Sequence, residues 1–268
     1  MQPTMEILAK LRENSQKHPD EVFTRLFRYM LRPDVYFVAY QSLYANSGAA
    51  TKGVNEDTAD GFSEDYVQRL IEMLKDESYR PSPVRRTYID KGNGKMRPLG
   101  IPTFTDKLVQ EAMRMILEAI YEPQFSNCSH GFRPERSCHT ALTQVKHDFT
   151  GIRWFVEGGI KGCFDNINHD WLLQNIPMDK KVMKQFLKSG FIYEGELFPT
   201  ETGSPQGGAI SSIYANMTLD GLERLIQNKY HRNSKGKIEN HYRAKTKVNL
   251  VRYADDFIIT ANTKGIAE

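Results

Sequence analysis

Cysteine is scarce in this chain. Cys128, Cys138 and Cys163 are its three, an odd number with no CxxC pair. This argues against a disulfide framework or a cysteine-built zinc centre, and it makes a reducing cytoplasm, bacterial or organellar, the simplest setting. Long apolar runs are also missing. None is long enough to cross a bilayer, so no membrane partner is expected. The polar, amphipathic start MQPTMEILAKLRENSQKHPD lacks the apolar core of a signal peptide. There is no internal repeat and no low-complexity tract. Net charge is only +3, so bulk charge does not announce a nucleic-acid partner.

What is there is a chain of 268 residues with ordinary apolar and charged content, enough for one large or two smaller folded domains. Its charge is locally concentrated. Arg80, Arg85, Arg86, Lys91, Lys95 and Arg97 stand against Asp90, and Lys229, Arg232, Lys235, Lys237, Arg243, Lys245 and Lys247 against Glu239. Such blocks suit a surface that tracks phosphates, and equally a pair of solvated loops.

Periodicity predicts helices over 21–30, 34–44, 63–74, 106–121, 135–149, 170–175, 180–189 and, as one long helix, 210–228. Strands are expected over 84–90 and 96–101 around a Gly92-Asn93-Gly94 turn, and over 248–252 and 257–260. A further strand, 152–160, is apolar enough to be buried. Helices mixed with hairpins indicate an α+β fold.

Tyr253-Ala254-Asp255-Asp256 lies between two of these strands. Adjacent carboxylates at a hairpin tip repel each other, and a divalent cation relieves that repulsion. Carboxylate and phosphate oxygens are the ligands Mg²⁺ prefers, and paired ions promote phosphoryl transfer. An acidic β-turn would use the same letters. Gly203-Ser204-Pro205-Gln206-Gly207-Gly208 opens a helix, and its glycines permit close backbone approach. Upstream lies Glu157-Gly158-Gly159-Ile160-Lys161-Gly162-Cys163-Phe164-Asp165-Asn166-Ile167.

In this order the blocks resemble those of group II intron-encoded reverse transcriptases. Tyr-Ala-Asp-Asp is similar to the family's catalytic hairpin, the 203–208 loop to its PQG motif, and 157–167 to a strand ending in a pattern like DIKGCFDNI. The segment 88–102 looks like the fingertip that closes over the nucleotide. Ser129-His130-Gly131-Phe132-Arg133-Pro134 matches a second block, and 44–55 resembles the N-terminal extension that grips template RNA.

The resemblance implies a right-hand polymerase made of fingers and palm, with the thumb and the maturase X domain absent. Fingers would be 1–104 and about 166–203; palm would be 105–165 and 204–268, incomplete at its C-terminus. It implies RNA-directed DNA synthesis with assistance to intron splicing and mobility. Asp255 and Asp256 would hold Mg²⁺. Lys91 and Arg97 would hold the triphosphate, Phe164 would gate the sugar, and Gln206 would bridge the nascent pair, with Ile160 and Lys161 also at the nucleotide. The 229–247 cations would bind RNA. Implied partners are intron RNA, an RNA template, a DNA primer and dNTPs, with a homodimer through exposed apolar surface as a further expectation.

One position departs from the pattern. Gly159 stands where the family carries its first metal-binding aspartate. A ligand must sit about 2 Å from its ion. Glu157 lies about 7 Å away along an extended strand, and Asp165 roughly 20 Å before any turn shortens the path. The expectation is very low polymerase activity, and the alternative is a non-catalytic RNA-binding maturase. An unrelated two-metal nuclease would need neither the fingertip cations nor the PQGG loop. Phe164 opposes an RNA-directed RNA polymerase.

Overall fold

The computed structural model describes residues 3–46, 48, 50–92, 94–237 and 246–268. In chain order the helices are α1 (Thr4–Lys17), α2 (Phe27–Met30), α3 (Pro33–Tyr44), α4 (Glu64–Lys75), α5 (Phe104–Tyr121), α6 (Cys138–Asp148), α7 (His169–Asn175), α8 (Lys180–Lys188), α9 (Ser211–Leu219), α10 (Leu222–Tyr230) and α11 (Lys264–Ala267). The strands are β1 (Val84–Asp90), β2 (Met96–Ile101), β3 (Trp154–Gly159), β4 (Phe191–Tyr193), β5 (Glu196–Phe198), β6 (Leu250–Tyr253) and β7 (Asp256–Ala261). The fold is α+β, and the chain divides into two compact units. One comprises 1–124 with 164–214, the other 125–163 with 215–268.

The first unit is organised on α5. Thr103 caps it by accepting the Asp106 N–H at 3.2 Å. Leu108, Val109, Ala112, Met113 and Leu117 are fully buried, and α1 and α3 pack along the helix. Each large apolar side chain so buried contributes about 1.5–3 kcal/mol. Buried polar groups on α5 serve as anchors. Lys107 Nζ donates to the carbonyls of Gly48 and Thr51, at 3.1 and 2.7 Å. Arg85 on β1 holds the Lys52 and Gly53 carbonyls. Gly48 and Thr51 are thereby tied to α5, and Lys52 and Gly53 to β1. The sheet of this unit has the order β2-β1-β4-β5, with β1 and β2 antiparallel from Arg85↔Ile101 to Asp90↔Met96, and β1 parallel to β4.

The second unit carries an antiparallel sheet of order β3-β7-β6. Helix α6 packs on β6 and starts with a capping box between Ser137 and Thr140.

Three expectations change. The 21–30 helix shortens to α2, because Arg25 takes φ +56° just before it and interrupts the helical run. The long 210–228 helix is two, because Gly221 adopts φ +100° between α9 and α10. The strand expected to be buried is the edge strand β3, with Trp154, Phe155 and Val156 exposed. Among the described residues no helix is long and apolar enough to cross a membrane.

Candidate active site

In the second unit, Tyr253 pairs with Asp256 across a two-residue turn of Ala254 and Asp255. Ala254 has φ +56°. Positive φ at the first central position suits the right-handed twist of a tight hairpin, but a side chain there is strained. Asp255 is half-buried and Asp256 is exposed.

The register places the departure beside this pair. Gly159 is the direct cross-strand partner of Asp256, and the Ile160 N–H donates to the Asp255 carbonyl at 3.0 Å. A Cβ at Gly159 would meet only the Asp256 side chain, whose Oδ1 lies 2.8 Å away. A side chain at position 159 would therefore point at the Asp256 carboxylate, and glycine provides none. Among the described residues no cluster of three or more His, Cys, Asp or Glu side chains could hold a metal ion. Cys163 is buried near the turn. Burial pushes its thiol pKa up and the charge of Asp255 raises it further.

In the first unit, the ladder pairs Ile89 with Arg97, and the Lys91 N–H reaches the Lys95 carbonyl one step further on. By strand alternation Arg97 and Lys91 share a face, and both are exposed. Gln206 is half-buried, and its carbonyl accepts the Gly100 N–H of β2 at 2.6 Å. The glycine loop is thus hydrogen bonded to the β1–β2 hairpin. Phe164 is half-buried in a short 3-10 turn, Phe164–Asn166, and its carbonyl accepts the Ser204 N–H at 2.8 Å. The Gly203 N–H reaches the Ile167 carbonyl at 2.8 Å, and buried His169 bonds the Gly203 carbonyl through Nε2 at 2.6 Å. Phe164 and Gln206 are therefore carried by two segments zipped to each other. In the second unit Ile160 is half-buried and Lys161 exposed.

Of the basic block, Lys229, Arg232, Lys235 and Lys237 are exposed and Lys247 is half-buried, while Arg243 and Lys245 lie outside the described residues. Arg232 is engaged locally, donating to the Gly236 carbonyl at 2.6 Å and to Asn228 Oδ1 at 2.8 Å.

Sequence reasoning missed the residues that hold these motifs in place. Beneath the turn, Arg252 is fully buried with Glu223 and Asn216. The visible signal was a cation inside an otherwise apolar strand, Leu250-Val251-Arg252-Tyr253.

Burial holds two histidines below their ordinary pKa of 6.5: His169 in the first unit, and His130 in the second, where Thr140 and Gln144 bond its ring. Each binds fewer protons folded than unfolded in the window below 6.5. Their stabilising contribution is complete above that value and declines as pH falls through it. Melting from pH 8 to 5.5 should show Tm falling below about 6.5, and His169→Gln should remove part of the slope. A flat profile, or a rising Tm on acidification, would contradict this.

Residues 89–268 match the family described as reverse transcriptase (RNA-dependent DNA polymerase), and the chain belongs to that family. Within it, the chain is of the group II intron reverse transcriptase/maturase kind. It is 55% identical over 253 residues to Group II intron-encoded protein LtrA of Lactococcus lactis subsp. cremoris, covering 91% of this chain and 42% of that protein. It is 33% identical over 299 residues to Protein YkfC of Escherichia coli (strain K12), covering 98% and 77%. Nuclear intron maturase 2, mitochondrial, of Arabidopsis thaliana is 25% identical over 285 residues, covering 83% and 38%. The chain thus spans less than half the length of the first of these. A chain of a solved partial Cas6-RT-Cas1–Cas2 complex superposes with a TM-score of 0.50 at 19% identity, over 90% of this chain and 39% of that one, a likeness of fold. The family works on nucleic acid and uses divalent metal ions.

Proposed function

We propose that the chain is the fingers-and-palm portion of a group II intron-encoded RNA-directed DNA polymerase that also assists splicing and mobility, with its polymerase site disabled at Gly159. The observation that carries this reading is the register of β3 on β7, which sets a side-chain-free position opposite Asp256 and next to Asp255. Mg²⁺ is the ion that Asp255 and Asp256 would attract together with phosphate oxygens. With two carboxylates for the family's three, the residues present do not fit a complete two-ion site.

The other roles are assigned on the same footing. Arg97, with a planar fork of donors, and Lys91, as a point charge, bind the triphosphate. Phe164 excludes a ribose 2′-hydroxyl, Gln206 contacts the nascent pair, and Ile160 and Lys161 flank the nucleotide. Functionally, fingers comprise 1–104 and about 166–203, and palm 105–165 and 204–268. The exposed Trp154, Phe155 and Val156 of β3 are where a second copy would pair.

Gly159 also favours the second reading, an RNA-binding maturase that keeps the polymerase fold. Both readings require RNA binding, and the 229–247 cations are its assigned contacts, among them the exposed Lys229, Lys235 and Lys237. Replacing these three with alanine should weaken binding to a structured group II intron RNA by roughly tenfold. It should also shallow the log–log salt dependence of affinity by about one for each phosphate contact removed. Unchanged affinity and salt slope would remove the block from the interface.

A further inference from the structure

The turn that presents Asp255 is held from below by a buried charged network. Arg252 is fully buried, and its Nη1 donates to the Ala254 carbonyl at 3.0 Å and to Asn216 Oδ1 at 3.3 Å, while its Nε faces Glu223 Oε1 at 3.3 Å. Glu223 and Asn216 are buried as well. Asn216 uses its other end on the neighbouring loop, donating from Nδ2 to the Gly131 carbonyl at 2.9 Å. Gly131 in turn lies flat against the turn, and a Cβ there would run into the backbone of Ala254. The main chain of Arg252 is fixed on both sides, its N–H to the Cys128 carbonyl at 2.7 Å and its carbonyl to the His130 N–H at 2.9 Å.

Stability alone is a poor reason for this arrangement. A buried ion pair usually recovers little more than its desolvation cost, and well-packed apolar residues often do as well or better. Here Arg252 Nη2 and Glu223 Oε2 lack hydrogen-bond partners among the described residues, so the pair is incompletely satisfied. What the network supplies is direction. It fixes the carbonyl of the one residue in the hairpin turn with positive φ, a conformation that persists only when its surroundings impose it.

We infer that Arg252 is a positioning residue: charge-balanced by Glu223 and aimed by Asn216, it locks the Ala254 peptide and thereby the orientation of Asp255. The inference rests on the assignment of Asp255 to the polymerase site. Arg252 is fully buried beneath the turn. It acts through the turn, and Gly131 closes the turn from the other side.

The test uses Arg252→Met with Glu223→Gln, a pair that removes both charges and strands neither. The Ile160 amide, which donates to the Asp255 carbonyl, reports turn order by hydrogen exchange. Its exchange should accelerate at least about tenfold while the amides along the β3–β7 ladder and the Tm stay near parental values. In a Gly159→Asp background the same pair should lower kcat for primer extension at least about tenfold with KM for dNTP little changed. Unchanged Ile160 exchange, or acceleration shared equally by the whole unit, would overturn the inference. Should the double variant not fold, Asn216→Ala decides: local acceleration at Ile160 supports the clamp, and none refutes it. Absence of extension by Gly159→Asp itself would count against the polymerase assignment, whereas the exchange data judge the clamp independently.

Discussion

Replacing Gly159 with aspartate is expected to raise Mg²⁺-dependent primer extension on an RNA template by at least about 100-fold, the scale on which a 1 Å misplacement of reacting groups costs rate. The backbone is ready for the change. Gly159 lies in an extended strand with no positive φ, and a Cβ would encounter only the Asp256 carboxylate, the free end of an exposed side chain that can rotate aside. The new carboxylate would stand beside two others, so without divalent cations the variant should be no more stable than its parent, through like-charge repulsion. Adding Mg²⁺ should reverse that order, because an ion bound only by the folded state stabilises it. Because the chain spans less than half of LtrA, the same substitution belongs also in a full-length relative-sized protein, where both halves of the comparison can be read. Robust extension by the unaltered chain, equal to that of the variant, would refute the role given to position 159.

The second large effect is structural. Gly203→Ala should destabilise the first unit by about 2–4 kcal/mol, combining overpacking with a strained backbone. Gly203 has φ +86°, and a Cβ there would lie 2.6 Å from the Phe164 carbonyl oxygen and 2.7 Å from that of Asp165. All of these neighbours are main-chain atoms, so relief requires the 3-10 turn at Phe164 to move away from the loop that carries Gln206. The bond from Ser204 N–H to the Phe164 carbonyl and that from His169 to the Gly203 carbonyl would both be disturbed. A Tm lowered by about 5 °C or more is the expected reading. A Tm within a degree of the parent would mean that the two segments are less tightly joined than their hydrogen bonds indicate.

Much of this was legible in the sequence because it is local. The cap of α4 by Ser63, whose hydroxyl accepts the Tyr66 N–H, the β1–β2 hairpin around its glycines, the amphipathic α5 and the Tyr253–Asp256 turn each follow from short-range pattern. So does the order of motifs that identifies the family. That position 159 carries no side chain was also readable, since it is a matter of residue identity. Long-range information was not. Leucine, isoleucine and alanine on either side of Asp220-Gly221 read as one helix until the backbone of Gly221 is seen in the left-handed region. An apolar run such as Trp154-Phe155-Val156 does not declare whether it is a core strand or an exposed edge. The short β4–β5 hairpin, Phe191–Phe198, gives too few residues to establish a period. Arg252 is the clearest case: its meaning depends on Asn216 and Glu223, 36 and 29 residues away, and on Gly131 still further off.

On the proposed assignment, a single missing carboxylate separates this site from a complete one. That assignment is tested most directly by titrating Mn²⁺, as a spectroscopic stand-in for Mg²⁺, into the unaltered chain and into its Gly159→Asp variant. Weak binding is expected of the unaltered chain and at least about tenfold tighter binding of the variant, lost again when Asp255→Asn is added. Equal affinity in the two proteins, or tight binding that survives Asp255→Asn, would contradict it.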